Sequence, residues 1–266
     1  MLANLDNPIS QAEYHYQRFV IRKQRAPLIW IIMAILLLGP AMLTSIVYIG
    51  AIFLTLVSLE TLTILQDYNS AFWVLVLVMT CSMYPVVTLV SFALSSNSIR
   101  REKFGKTWDN LRLTHMNNRQ IILGKWWASF RALSGDHLMA NVVRIGLFAS
   151  IIGGAFGGPI EQEPAFYILN FVAFTLASII LTIFDVALTV SLGLMAAIFD
   201  EARGAIAMTL AAGLRFMASA LAIAATFQAI YLYSTDQSYL HVIALALLLY
   251  AILNISVLWF CIKWMP

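Results

Sequence analysis

Six apolar stretches decide what this chain can fold into. They cover residues 27–54, 71–95, 138–156, 165–199, 205–233 and 240–264. A helix crosses a hydrocarbon layer of about 30 Å with roughly 20 residues, and each stretch reaches or approaches that length. Several exceed it, which implies tilt or extension into the interface. Pro40 and Pro85 lie inside two of the stretches, where a missing backbone N–H favours a kink. Composition agrees: 61% of the 266 residues are hydrophobic and 11% are charged, with a mean hydropathy of +0.85. A soluble domain carries about 45–50% apolar and about 25% charged residues. These values exclude a soluble enzyme, a nucleic-acid binder and a disordered chain. The expected class is an all-α polytopic membrane protein with six transmembrane helices.

The charges outside the stretches separate by sign. Residues 1–26 hold Arg18, Arg22, Lys23 and Arg25, and residues 96–131 hold Arg100, Arg101, Lys103, Lys106, Arg112, Arg119, Lys125 and Arg131. Arg203 and Lys263 continue that set, whereas 55–70, 157–164 and 234–239 carry Glu60, Asp67, Glu161, Glu163 and Asp236 without a Lys or Arg. The two sets alternate along the chain, as an even number of spans requires. Cytoplasmic loops are rich in Lys and Arg, so both termini and the 96–131 loop are expected in the cytoplasm. The first residues lack the basic start and short apolar core of a cleavable signal peptide. Residues 1–26 are expected to form a cytoplasmic interfacial helix, since Pro8 to Arg25 mix Tyr14, Tyr16, Phe19 and Val20 with Arg18, Arg22 and Lys23. Residues 27–266 then form the six-span domain. The N-terminal helix serves either as an anchor or as a gating elbow.

The 98–125 stretch is the one polar segment long enough to dock a partner. Thr107 is placed to cap a short helix, with its hydroxyl accepting from a backbone N–H two or three residues on. Asp109 falls in the first turn, where a negative charge suits the helix dipole. Trp108, Leu111 and His115 share one helix face at spacings of three and four. That face either enters a groove on a partner or packs on the chain's own helices.

The same residues resemble the coupling-helix region of ABC transporter permeases of the second, exporter-like type. The likeness rests on Arg101-Glu102-Lys103, Gly105, Thr107-Trp108-Asp109, Leu111, Leu113-Thr114 and Ile122-Leu123-Gly124-Lys125. Thr107 and Thr114 stand seven apart, as in that family. Two positions depart from its pattern: Lys106 separates the usually adjacent Gly and Thr, and His115 stands where proline is common. The resemblance covers about 28 residues in motif and the whole chain in architecture. It implies a coupling-type cytoplasmic helix that docks a separate ATPase subunit through Glu102, Gly105, Thr107, Trp108, Asp109, Leu111 and Thr114. It also implies pairing with a second permease copy or a homologous permease, with ATP and magnesium held on the ATPase chain. Membrane lipid is the remaining expected partner.

Chemistry of the chain's own is sparse. Phe104-Gly105-Lys106-Thr107 contains the end of a phosphate-binding loop, but the glycine needed five residues before Gly105 is Arg100. His15, His115, His137 and His241 show no metal-ligand spacing, and Cys81 and Cys261 both fall in apolar stretches and are expected to be buried thiols. No nucleophile elbow or paired catalytic carboxylates occur. The expectation is a subunit without its own ATPase site, cofactor, metal or catalytic residue.

Three charges fall inside the apolar stretches away from their ends: Arg144, Asp185 and Arg215. An intramembrane charge costs roughly 2.5–3.5 kcal/mol on insertion scales unless paired or hydrated. Asp185 and Arg215 lie at similar depth on successive stretches, so an ion pair is expected, acting as a lock between helices or as a substrate contact. The glycines between Gly153 and Gly158 suit a turn before Pro159. The leading expectation is the permease subunit of an ATP-driven exporter in a bacterial inner membrane. The alternative is a non-transporting structural subunit of a larger membrane complex, for example a respiratory or photosynthetic assembly, derived from such a permease.

Overall fold

The computed structural model describes residues 7–23, 28–54, 69–107, 111, 113, 116–150, 164–199, 201–234 and 239–264. They form α1 (Pro8–Lys23), α2 (Leu28–Leu54), α3 (Asn69–Phe104), α4 (Asn118–Ser150), α5 (Pro164–Ile198), α6 (Glu201–Ser234) and α7 (Leu240–Lys263). There is no strand among the described residues.

Local chemistry explains several of the boundaries. Asn7 opens α1 by accepting the Ser10 backbone N–H on Oδ1 at 2.8 Å, and Pro8 follows at the first helical position, where no N–H is needed. At the start of α4, Gln120 Oε1 accepts the Asn117 backbone N–H at 3.0 Å, the reciprocal half of a capping box. The end of α3 is a Schellman closure. The Thr107 N–H donates to Glu102 O at 3.0 Å and the Lys106 N–H to Lys103 O at 3.2 Å. Lys106 occupies the left-handed position of that closure, with φ 53°.

Four helical segments are long and apolar enough to cross a membrane: Val78–Phe104, Ile168–Ile198, Ala205–Thr226 and Leu240–Lys263. The expectation of six is corrected to these four among the described residues. The reason differs at the two remaining segments. In α4 the helix begins about 20 residues before the apolar stretch and carries Arg131, Asp136, His137, Asn141 and Arg144, which lower its hydropathy. In α2 only the shorter apolar helix Gly39–Gly50 is delimited. Residues 151–163, with the glycine-rich run, lie outside the described residues. The 96–131 stretch is less of a loop than expected, because 96–104 complete α3 and 118–131 begin α4.

Helix α5 is the centre of the bundle and packs on α2, α3, α4, α6 and α7. From Asp185 to Ile198 every residue except Met195 is buried, the pattern of a helix surrounded on all sides. The outer faces of α6 and α7 instead expose Leu210, Phe216, Met217, Leu245, Ile252 and Ile255. Apolar groups outside and polar groups within suit a hydrocarbon solvent, which satisfies no backbone or side-chain polar atom.

Small residues let the helices approach. A Cβ on Gly146 would stand 2.2 Å from Ser45 Cβ, and one on Gly193 would stand 2.0 Å from Ser95 Oγ and 3.0 Å from Phe92 O. These positions bring α4 against α2 and α5 against α3 at backbone distance.

Helix α1 departs from the simple interfacial expectation. Its buried face is polar, formed by Asn7, Ser10, Glu13 and Gln17 at spacings of three and four, whereas Tyr16 and Phe19 are exposed. The face turned to α4 is the hydrophilic one, because α4 supplies matching polar partners there.

Candidate functional site

Two polar clusters stand out, one at the basic end of the helices and one within the bundle.

The first joins α1, α3 and α4. Glu13 Oε2 accepts Arg101 Nη2 at 2.8 Å and Lys125 Nζ at 3.1 Å. Glu102 Oε1 takes a second contact from each cation at 3.3 Å. Lys125 is 1% exposed, and its Nζ also donates to Ser98 O at 3.2 Å. A buried ammonium is tolerated only when its donors are satisfied, and here two carboxylates and a carbonyl do so. The Arg101 guanidinium also stacks 3.6 Å above the Tyr16 ring. Gln17 donates to Ser129 Oγ at 2.8 Å and Asn7 to Gln120 O at 2.9 Å, which fastens the start and the middle of α1 to α4. Lys103 Nζ donates to Ile198 O, linking α3 to the end of α5.

The residues expected to dock a partner distribute unevenly around this cluster. Glu102 belongs to it. Gly105 sits in the closing turn, where an added Cβ would come 3.1 Å from Arg101 O. The Thr107 hydroxyl donates to the Glu102 carboxylate, which the Schellman closure brings beside it; residues 109 and 110, whose backbone N–H groups it was expected to accept from, lie outside the described residues. The Thr107 carbonyl does accept the Leu111 N–H at 3.0 Å, as the first bond of a helical turn would. Leu111 is half-buried against the chain's own core, and its neighbour Leu113 is 81% exposed. Of the two arrangements open to this stripe, the Leu111 side chain has apolar neighbours within the chain while remaining partly exposed. Trp108, Asp109, Thr114 and His115 lie outside the described residues.

The second cluster gathers the intramembrane charges. Arg215 Nη2 lies 2.7 Å from Asp185 Oδ1, with Asp185 2% and Arg215 3% exposed. Arg215 Nε donates to Thr189 Oγ1 at 2.9 Å, Nη1 to Ser219 Oγ at 2.9 Å, and Nη2 to the Tyr84 hydroxyl at 3.1 Å. Tyr84 in turn donates to Asp185 Oδ1 at 2.8 Å. The pair expected from sequence thus forms, and it draws in α3 through Tyr84. Arg144 is brought near it, with its guanidinium 5.2 Å from the Tyr84 ring centroid and Nη1 3.4 Å from Thr182 Oγ1.

His137 completes this region from α4. Its Nε2 lies 3.0 Å from Ser91 Oγ, and its Nδ1 lies 3.8 Å from Asp185 Oδ2. The order Ser91, His137, Asp185 is that of a nucleophilic relay. The second separation exceeds a hydrogen bond, Arg215 and Tyr84 occupy the other carboxylate oxygen, and Ser91 is 1% exposed. The arrangement therefore offers no reachable nucleophile. No group of three His, Cys, Asp or Glu side chains suited to a metal ion occurs among the described residues. Cys261 is buried, and Cys81 is exposed.

Sequence reasoning missed Glu13, Tyr84 and His137 as members of these clusters. Glu13 had a signal: it is the single acid in α1 and shares a face with Ser10 and Gln17. Tyr84 and His137 had none, since they lie 101 and 48 residues from Asp185 along the chain. No family model, curated protein or solved structure matches this chain.

Proposed function

We propose that this chain is the membrane-spanning permease subunit of an ATP-driven ABC-type exporter, and that it docks a separate cytoplasmic ATPase through residues 98–125. Two copies, or this chain and a homologous permease, would enclose the transport path. ATP and magnesium would be bound by the ATPase. The reading includes both termini in the cytoplasm and a bacterial inner membrane as the location.

The observation that carries the proposal is the charge network of Glu13, Arg101, Glu102 and Lys125. A coupling element must be rigid and must move its spans as a unit between two states. The network ties α1, α3 and α4 together beside the turn at Gly105, Lys106 and Thr107, and Lys103 adds the end of α5. A displacement applied at 105–117 would therefore reach several helices at once.

A second reading is favoured by the other cluster. Arg215 donates to Asp185, Thr189, Ser219 and Tyr84, all within the chain, as a structural lock between helices would. That suits a non-transporting subunit of a larger membrane complex. Mild-detergent purification from native membranes, with mass spectrometry of the copurifying chains, separates the two. A stoichiometric ATPase that is lost on Trp108→Ala supports the exporter. Copurification with a redox or photosynthetic assembly, and no ATPase, refutes it.

A further inference from the structure

Two tyrosines of α1 carry arginines on their rings, and the two arrangements differ in charge balance. Arg101 stacks on Tyr16, but Glu13 and Glu102 match its charge. Tyr14 instead has Arg131 of α4 at 4.7 Å from its ring centroid and Arg18 of α1 at 5.5 Å. Arg18 and Arg131 are both exposed, and neither has a carboxylate within salt-bridge distance among the described residues. Asp136, the acid of α4, falls about 140° around the helix from Arg131. One aromatic ring thus gathers two guanidiniums that no acid neutralises. The planar fork of each suits the oxygens of a phosphate.

The neighbouring helices fix the depth of this pair. Trp126 Nε1 donates to Ser191 Oγ at 3.0 Å, and Cys261 Sγ lies 3.6 Å from Ser191 O. Trp126 is therefore level with the end of α7, where Trp259, Lys263 and Trp264 are exposed. Trp and Lys at a helix end mark the border between hydrocarbon and headgroups. Arg131 follows Trp126 by five residues, about 7 Å further along α4. A helical side chain leans toward the N-terminus of its helix, which returns the Arg131 guanidinium toward that border. The bonds from Asn7 to Gln120 O and from Gln17 to Ser129 Oγ run α1 beside α4 in the same direction, so Arg18 arrives at the same level.

Past Arg131 the same face of α4 continues into the apolar stretch as Gly135, Leu138 and Met139, all exposed. A Cβ on Gly135 would meet nothing within 4 Å. An open apolar strip therefore leads from the arginines toward the middle of the membrane.

We propose that Arg18 and Arg131, gathered on the Tyr14 ring, bind the phosphate of an anionic phospholipid in the leaflet at the basic end of the helices, with an acyl chain running down the strip from Gly135 to Met139. The uncompensated positive charge favours a headgroup with a net negative charge over a zwitterionic one, whose own ammonium the arginines repel. The site serves an exporter or a scaffold alike, because it needs no ATPase.

Native mass spectrometry of the purified, delipidated full chain tests it, with palmitoyl-oleoyl phosphatidylglycerol and the phosphatidylcholine of the same chains as probes. One phosphatidylglycerol should be retained about tenfold more tightly, since each arginine near an anionic surface is worth roughly a factor of five. The double variant Arg18→Gln/Arg131→Gln should abolish that preference, and Arg18→Lys/Arg131→Lys should keep most of it. Equal retention of the two lipids, or a preference that survives the glutamine variant, overturns the proposal. Glycerol 3-phosphate at the same concentration should not compete; displacement by it would assign the arginines to a free phosphate and overturn the lipid assignment. A second measurement on the unaltered chain guards against misfolding of the variants. A phosphatidylglycerol with a photoreactive headgroup should label Tyr14 or 127–131 well above 259–264, the end of α7 at the same depth. Equal labelling of both sets shows ordinary lipid contact and refutes the site.

Discussion

Removing the Arg215 side chain isolates the worth of the intramembrane ion pair. At 2.7 Å and an effective dielectric of about 20, the gross attraction of two unit charges is about 6 kcal/mol. Desolvation of both groups offsets much of that, so the pair adds little to stability relative to an apolar core. Breaking it is different. Arg215→Met leaves the Asp185 carboxylate 2% exposed, with only the Tyr84 hydroxyl donating to Oδ1. The expected loss is about 3–5 kcal/mol, the cost of an uncompensated buried charge. Asp185→Asn should cost a similar amount by stranding Arg215. The double variant Asp185→Asn/Arg215→Met strands neither charge and should lose far less than the sum. The coupling should reach about 2 kcal/mol or more, in the range of contacting residues. Equilibrium unfolding in mixed micelles, followed by far-ultraviolet circular dichroism and checked for two-state behaviour, measures all three. Coupling below about 0.5 kcal/mol, the additivity limit for independent sites, would refute the pairing argument.

Other outcomes follow from the same geometry. Lys106→Gly should stabilise the chain by about 0.5–1 kcal/mol, since a non-glycine residue at φ 53° carries a steric cost that glycine lacks; thermal unfolding that drops instead would contradict the Schellman closure. Gly146→Ala places a methyl 2.2 Å from Ser45 Cβ and 2.6 Å from its Cα, so α2 and α4 must separate, at about 1–3 kcal/mol. The same micelle titration reads that change, and an unchanged midpoint would count against the close approach. Glu13→Gln removes the carboxylate shared by Arg101 and Lys125 and should raise amide exchange across α1 by about tenfold or more. Arg18→Gln, on the exposed face, serves as the control that should leave exchange unaltered.

Membrane helices are legible in this sequence because span length and charge sign are one-dimensional quantities. A run of apolar residues needs no partner to be recognised, and a charge inside one is rare enough to attract notice. Asp185 and Arg215 could be paired on paper because only three charges fall in the apolar stretches away from their ends. Other boundaries were written locally but masked. The Asn117–Gln120 cap marks the true start of α4, yet Arg131 and Asp136 hid the continuation of that helix into the apolar stretch.

Tertiary structure alone decided which face of each helix meets what. Periodicity shows that α1 has a polar and an apolar side, but the choice of the polar side for burial depends on Lys125 and Ser129, which lie more than 100 residues away. The same limit applied to Leu111, whose stripe fits a partner groove or the chain's own core equally well until α3–α5 assemble beneath it. Tyr84 and His137 reach Asp185 through the packing of three helices. Side-chain spacing along one helix cannot encode the position of another. That placement follows from where glycine and serine allow backbones to touch, as Gly146 does with Ser45 and Gly193 with Ser95.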